Sequence, residues 1–236
     1  MQSKPLGRKS YGSIPHLPGS RLGPGDHHIT EGQARICTVK ARDKHDKIFV
    51  FEKLDGANTC VANVNGEILA LGRAGYLAQT SPYPHMQLLA EWVRYNALRF
   101  DFLWPGERVC GEWLAMAHST EYSLFHEPWA CFDRFSRDNV RLPWESTRAQ
   151  LKDAGFVTPW EIQGAEPYAP ISVENALAFL GEYGQHGATE PIEGIVYRVE
   201  RKGVFDFAAK WVKPEKIDGK YFPQISGKPP VWNWRP

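Results

Sequence analysis

The sequence predicts a single α+β domain built on antiparallel sheets, and three observations predict it. Short runs rich in β-branched and aromatic residues are bounded by tight-turn signals, of which Asn65-Gly66 is the strongest hairpin signal. Between residues 84 and 100 the apolar positions Met86, Leu89, Trp92, Val93, Ala97 and Phe100 recur at spacings of three and four, the period of an amphipathic helix. No internal repeat or low-complexity linker divides the 236 residues, a length that suits one well-buried domain with small appendages but not two full-sized ones.

Taken in order, residues 1–30 are rich in Gly, Pro and Ser and predict an irregular N-terminal arm. The domain follows over 31–213. Residues 48–53, 57–64 and 67–73 read as three antiparallel strands, the last two joined through Asn65-Gly66. Further strands are expected at 107–114 and 129–135, and helices at 84–100, 145–154 and 173–183, the last with Ser172 in the N-cap position. A closing hairpin pairs 193–200 with 204–213 across Arg201-Lys202-Gly203. Residues 214–236, with five prolines, form an irregular tail packed on or near the domain.

Composition narrows the function classes. The chain is 42% hydrophobic and 23% charged, which is ordinary for a globular protein and excludes extended disorder. It has no apolar run of 18 residues and no signal-peptide core behind Lys4, Arg8 and Lys9, so a cytoplasmic protein is expected. The cysteines Cys37, Cys60, Cys110 and Cys131 are scattered without a Cys-x-x-Cys pair and are read as reduced and mostly buried; no histidine is singled out as a metal ligand. The formal net charge of +1 hides an asymmetry: residues 1–47 and 201–236 each carry +5, and the centre, with 11 Lys/Arg against 20 Asp/Glu, carries −9. Basic ends around an acidic centre suit a phosphate-bearing partner and a divalent cation, although scattered surface charge gives the same imbalance.

The chemistry centres on Lys53-Leu-Asp-Gly56, where a strand meets a turn. A lysine attacks phosphorus only as a free amine, so its ordinary pKa of about 10.4 must fall through burial or neighbouring positive charge, which a strand end inside a cavity supplies. Gly56 lets the backbone turn close to a ligand. The four residues alone are also an ordinary strand-to-turn junction. Neither a Gly-x-x-x-x-Gly-Lys-Ser/Thr phosphate loop nor a Gly-x-Gly-x-x-Gly fingerprint is present, which removes P-loop kinase, helicase and dinucleotide-binding readings.

Six segments in order resemble the covalent nucleotidyltransferases, the class of ATP-dependent DNA ligases, RNA ligases and mRNA capping enzymes. They are Lys53-Leu-Asp-Gly56, Gly72-Arg73-Ala74-Gly75, Gly111-Glu112-Trp113-Leu114, Cys131-Phe132-Asp133, Glu193-Gly194-Ile195-Val196 and Ala209-Lys210-Trp211-Val212-Lys213-Pro214. Glu52-Lys-Leu-Asp-Gly-Ala-Asn58 followed by Thr59, and the arm segment Ile14-Pro-His-Leu-Pro-Gly-Ser-Arg21, resemble the phage and editing-type RNA ligases more than the DNA ligases or capping enzymes. The resemblance implies an antiparallel-sheet nucleotidyltransferase domain, the ATP-grasp-like adenylation domain of ligases, flanked by helices. It implies an ATP-dependent RNA ligase that joins 5′-phosphate and 3′-hydroxyl ends through lysyl-AMP on Lys53, with Mg2+ or Mn2+.

The same resemblance assigns roles. Lys53, Lys210, Lys213 and Arg73 would be catalytic. Glu52, Lys53, Asn58, Arg73, Glu112, Phe132, Glu193, Lys210 and Lys213 would bind the nucleotide. Within that set Glu112 would hold the ribose hydroxyls, Phe132 would stack on adenine, and Arg73 would meet phosphate through its guanidinium fork. Glu193 would hold the metal, with Asp55 either beside it or shaping the turn. The sequence departs from the family pattern twice. Lys210 and Lys213 stand as Lys-x-x-Lys where the family shows Lys-x-Lys, which puts them on opposite faces of a strand unless a bulge intervenes and favours Lys210. Only 23 residues follow Lys213, so no C-terminal oligonucleotide-binding (OB) domain is expected; the site closes with arm and tail, or an accessory protein supplies the missing domain. Trp211, Trp232 and Trp234 with Lys216, Lys220, Lys228 and Arg235 either grip a single strand or pack on the domain. RNA ends are the expected partner, with DNA or a hybrid as alternatives. A capping-type guanylyltransferase and a non-catalytic nucleic-acid-binding module are the rival functions.

Overall fold

The computed structural model describes residues 4–164 and 166–235. Residues 1–3 of the arm and Pro236 of the tail lie outside them. Among the described residues the strands form two four-stranded antiparallel sheets. In the first, the order is β6 (Glu161–Ile162), β1 (Asp46–Lys53), β7 (Gly194–Arg201), β8 (Val204–Val212). In the second it is β3 (Glu67–Gly72), β2 (Ala57–Val64), β4 (Arg108–Trp113), β5 (Trp129–Phe135). The helices are α1 (Glu31–Thr38), α2 (Pro84–Tyr95), α3 (Trp144–Asp153), α4 (Val173–Leu180) and the single turn α5 (Pro223–Ser226). No helix among the described residues is long and apolar enough to cross a membrane.

Strand alternation divides β1 between two cores. Phe49 and Phe51 join Val61 of β2, Val109 of β4, and Trp129 and Cys131 of β5, with Trp92, Phe100, Trp144 and Phe156 packed around them. Ile48 and Val50 point the other way, to Ile195, Tyr197 and Val199 of β7, Cys37 of α1, Ala176 and Leu180 of α4, and Leu17 of the arm. The sequence periodicity finds β1, β2 and β3 as strands but does not find their partners. β1 pairs with β6 and β7 rather than with β2, so the expected three-stranded unit is split between the two sheets. The turn at Leu54–Gly56 carries the chain across. There a Cβ on Gly56 would run into the Trp113 carbonyl, so only glycine admits the crossing.

Other elements differ from expectation for local reasons. The helix from Pro84 stops at Tyr95, where the Asn96 side chain donates to the Trp92 carbonyl at 2.8 Å and competes with the helical ladder; a 3-10 turn then covers Ala97–Phe100. α4 ends at Leu180 because Gly181 takes a φ of 78°. The Asn65-Gly66 hairpin forms as expected, with both residues at positive φ. Capping at Thr30, which exchanges hydrogen bonds with Gln33, starts α1 in a stretch that had suggested no element. Cys60 and Cys110 face each other across β2 and β4 with Cα atoms 4.0 Å apart and are bonded as a disulfide, which corrects the reading of four reduced thiols. Cys37 and Cys131 are free and buried.

The arm and the tail are fastened to this frame. Leu17 N donates to the Lys210 carbonyl and Lys210 N to the Pro15 carbonyl, so the arm covers the outer edge of β8. In the tail, Ala117 N donates to the Val231 carbonyl, Asn233 N to the Ala115 carbonyl, and Trp234 lies 6.0 Å from Trp113. Trp129 is fully buried between the sheets and donates through Nε1 to Thr59 Oγ1 at 2.9 Å. Replacing it with alanine should lower the unfolding free energy by about 3–5 kcal/mol, read as a fall in the urea midpoint.

Candidate active site

Register, more than composition, assembles the site. β1 and β7 pair with Lys53 opposite Gly194 and Phe51 opposite Val196; β7 and β8 pair with Val196 opposite Lys210. Residues directly opposite share a face, so Phe51, Lys53, Val196, Arg198 and Lys210 all look toward the second sheet. That sheet contributes Asn58 and Glu112, paired across β2 and β4, and Phe132 of β5. Phe132 is the extra residue of a bulge: Gly111 pairs with Cys131 and Cys110 with Asp133, leaving Phe132 unpaired and lining the cavity. The cavity holds about 380 Å³ and is closed on one side by Tyr11, Gly12 and Ile14 of the arm.

Lys53 Nζ donates to Glu193 Oε2 at 2.5 Å, across 140 residues of chain. Glu193 is buried, and its other oxygen pairs with Lys216 of the tail. Lys216 Nζ also meets Asp55 Oδ1 at 2.7 Å, while Asp55 Oδ2 accepts from the Ser119 and Thr120 amides at 2.6 and 2.7 Å. The Asp55 carboxylate therefore fixes the 119–120 loop to the Lys53 turn. Gly194 must be glycine, because a Cβ there would overlap the Trp211 carbonyl of β8. That close approach keeps Glu193 at the strand end beside Lys53.

Of the other expected residues, Glu112 accepts from Gly56 N at 3.2 Å, and Asn58 Oδ1 is buried on the cavity wall without a partner. Arg73 follows β3 at the cavity rim, where Nη2 donates to Ser13 Oγ at 2.9 Å and its carbonyl accepts from Ser10 N. Two expectations are redirected. The Glu52 side chain lies on the opposite face of β1 from Lys53 and accepts from Gln185 N at 2.9 Å, so its part of the cavity wall is backbone. Lys213 does not join Lys210. The bulge in β8 falls at Asp206, before both lysines, and Lys213 lines a neighbouring cavity with Lys216 and Lys220.

The sequence reading missed several groups at the site. Lys216 carries no motif and is one of several tail cations until the fold seats it. His118 lines the cavity with Nε2 buried and unpartnered, its ring against Phe222 of the tail. Tyr11, Asp133, Arg141 and Arg198 form a buried network at the other end: the Tyr11 hydroxyl donates to Asp133 Oδ2 at 2.6 Å, and Arg198 binds Asp133 Oδ1. Only Asp133 had a sequence signal, as the residue after Phe132.

Burial sets the electrostatics. It pushes the Glu112 carboxyl up to about 7, with the Lys53 charge opposing it. Burial and then the Lys53 charge lower the Lys210 ammonium below the ordinary lysine range. Burial also lowers His118, to about 4, with Lys216 adding to it, so the imidazole is neutral at pH 7. On Lys216 burial works against the charge, but Glu193 and Asp55 outweigh it and raise the pKa. An acid raised in the folded state contributes stability below its unfolded pKa that is lost as pH rises through the folded one. Between pH 4.5 and about 7, wild-type stability should therefore fall relative to Glu112→Gln, by up to about 3 kcal/mol, in urea denaturation compared at pH 4.5 and 8.

The RNA ligase family matches residues 46–213. Curated protein sequences give no match. Among solved structures, the fold is similar to an archaeal ATP-dependent RNA ligase, with 20% identity and a TM-score of 0.51 over 86% of this chain and 48% of that one. It is also similar to a Naegleria gruberi RNA ligase variant with ATP and Mn, with 16% identity and a TM-score of 0.57 over 90% and 61%. A further variant of that ligase, with AMP and Mn, shares 15% identity and a TM-score of 0.53 over 87% and 61%. At these identities the likeness is one of fold, and the chain spans about half to three fifths of the length of the solved ligases it matches. The family match runs from the first residue of β1 to one residue past β8, covering both sheets and the Lys53, Glu112, Glu193 and Lys210 positions, and by it this chain belongs to the RNA ligase family.

Proposed function

We propose that the chain is an ATP-dependent RNA ligase whose two-sheet frame is a nucleotidyltransferase domain and whose nucleophile is Lys53. The observation that carries this reading is the convergence of Lys53, Glu112, Arg73 and Lys210 on one cavity, with the Lys53 amine bonded to the buried carboxylate of Glu193, which borders the neighbouring cavity. Phe132 and Val196 would hold the adenine of ATP, Glu112 and Asn58 the ribose hydroxyls, and Lys53 would meet the α-phosphate. Asn58 Oδ1, buried without a partner, suits a ribose hydroxyl donor.

In the first step Lys53 reacts as the free amine, its ammonium proton lost to solvent: the lone pair forms the N–P bond, the bond to pyrophosphate breaks, and the second proton from the nitrogen leaves with pyrophosphate. Lys210 and Arg73 stabilise the charge that develops on the α-phosphate and the leaving group. In the second, a 5′-phosphate oxygen displaces the Lys53 amine and takes up AMP. In the third, a 3′-hydroxyl displaces AMP and seals the strand. Among the described residues no three His, Cys, Asp or Glu side chains converge as a metal cage. Glu193 would instead hold Mg2+ or Mn2+ together with phosphate oxygens, a mode that suits Mg2+, and the ion would neutralise triphosphate charge.

Incubation with ATP labelled at the α-phosphate, followed by a denaturing gel, tests the reading. Label should stay with wild type and be absent from Lys53→Ala; equal retention in both overturns it. Lys210→Ala should slow label incorporation by about a hundredfold, the scale of losing one positioned charge donor. Nicked RNA should be sealed faster than nicked DNA, and preferential labelling by GTP would favour the capping-type alternative.

A further inference from the structure

Lys216 stands where a cation is needed, and it reaches that place from outside the two sheets. Its Nζ contacts Asp55 Oδ1 and Glu193 Oε1 together, and its side chain is 9% exposed. With Lys53 on Glu193 Oε2 and two backbone amides on Asp55 Oδ2, every oxygen of the two carboxylates has a partner. A hard divalent ion at this pair needs those same oxygens, and an ammonium held a few Å from it repels it.

The tail that carries Lys216 is anchored on both sides of the lysine. Lys213 N, just past β8, donates to the Glu193 carbonyl at 3.0 Å. Beyond it, Gly219 N donates to Ser119 Oγ at 2.8 Å, Tyr221 N donates to the His118 carbonyl at 2.9 Å, and Lys220 pairs with Glu190 at 2.6 Å. Lys216 also borders a second cavity of about 670 Å³, lined by Glu182, Glu190 and Glu215, so an ammonium leaving Asp55 and Glu193 has room and other carboxylates beside it.

We propose that Lys216 is a tethered positioning cation that holds Asp55 and Glu193 in the nucleotide-free enzyme and is displaced into the neighbouring cavity when a divalent ion takes those carboxylates. This rests on the reading of Glu193 as the metal-holding carboxylate. Asp55 then has two roles in turn: it anchors the tail lysine, and it ligates the ion once the lysine has moved.

The experiment titrates Mn2+ into the full chain without nucleotide and follows free Mn2+ by electron paramagnetic resonance. Lys216→Gln should bind Mn2+ about tenfold more tightly than wild type, because one nearby positive charge is gone. Lys216→Arg, which keeps the charge, and Lys220→Gln, which removes a tail charge paired elsewhere, should match wild type. Unchanged or weaker binding by Lys216→Gln, or equal tightening by Lys220→Gln, overturns the proposal. In wild type, saturating Mn2+ should speed amide hydrogen exchange over residues 214–222; unchanged exchange also overturns it, and this readout needs no variant to fold. Labelling of Lys53 by ATP is measured on the same samples. Its loss in wild type would defeat the ligase reading, while normal labelling with unaltered Mn2+ behaviour would defeat only the role of Lys216.

Discussion

The pairing of β1 with β7 is the constraint on which the rest depends. It sets Lys53 opposite Gly194, and Gly194 lies so close to the backbone of β8 that no side chain fits there. Glu193 is thereby held at a fixed place beside an amine 140 residues earlier in the chain. A one-residue slip in this register would turn Lys53 onto the helix-covered face with Ile48 and Val50 and send Glu52 into the cavity. The mostly apolar face formed by Ile48, Val50, Ile195, Tyr197 and Val199 opposes that slip, because it would bury Lys53 and expose the core. The site geometry is thus enforced by hydrophobic burial on the far side of the same strands.

The second sheet supplies what the first cannot. Alternation allows a strand to present every other residue to one side, yet β5 places Cys131 in the core and both Phe132 and Asp133 on the cavity wall. The bulge opposite Cys110 and Gly111 makes this possible by inserting one residue into β5. One neighbour lines the cavity with an aromatic ring set edge-on to Tyr11, and the other ties Tyr11, Arg141 and Arg198 into a buried ionic network. Such a network gains little net stability from its charges, but removing one member would strand the others in a medium that solvates them poorly.

Local signals carried much of the fold. Strand and helix positions follow from apolar period, and Asn65-Gly66 and Ser172 mark a hairpin and a cap where the chain makes them. What the sequence could not show was which strands pair, because period identifies a face and not a neighbour; that is why β1 was grouped with β2 and β3. The same limit hid the Cys60–Cys110 bond, which exists only because β2 and β4 are adjacent. At the site, Lys53, Glu112, Glu193 and Lys210 were legible because short motifs place them at strand ends. Glu52 was assigned through the resemblance to the RNA ligases, and strand alternation turns it away. Lys216 and His118 were illegible because tail packing, which no local pattern encodes, brings them in.

The arm reaches the cavity from residues 11–14, and the tail reaches Asp55 and Glu193 at residue 216. Each segment is held by bonds to strands far away in sequence. During synthesis the Lys53 strand therefore emerges long before its partners, and its amine faces neither carboxylate nor tail until β7, β8 and residue 216 have left the ribosome. The ion pairs that hold Lys53, Asp55 and Glu193 therefore form only after nearly the whole of the two-sheet frame has been made.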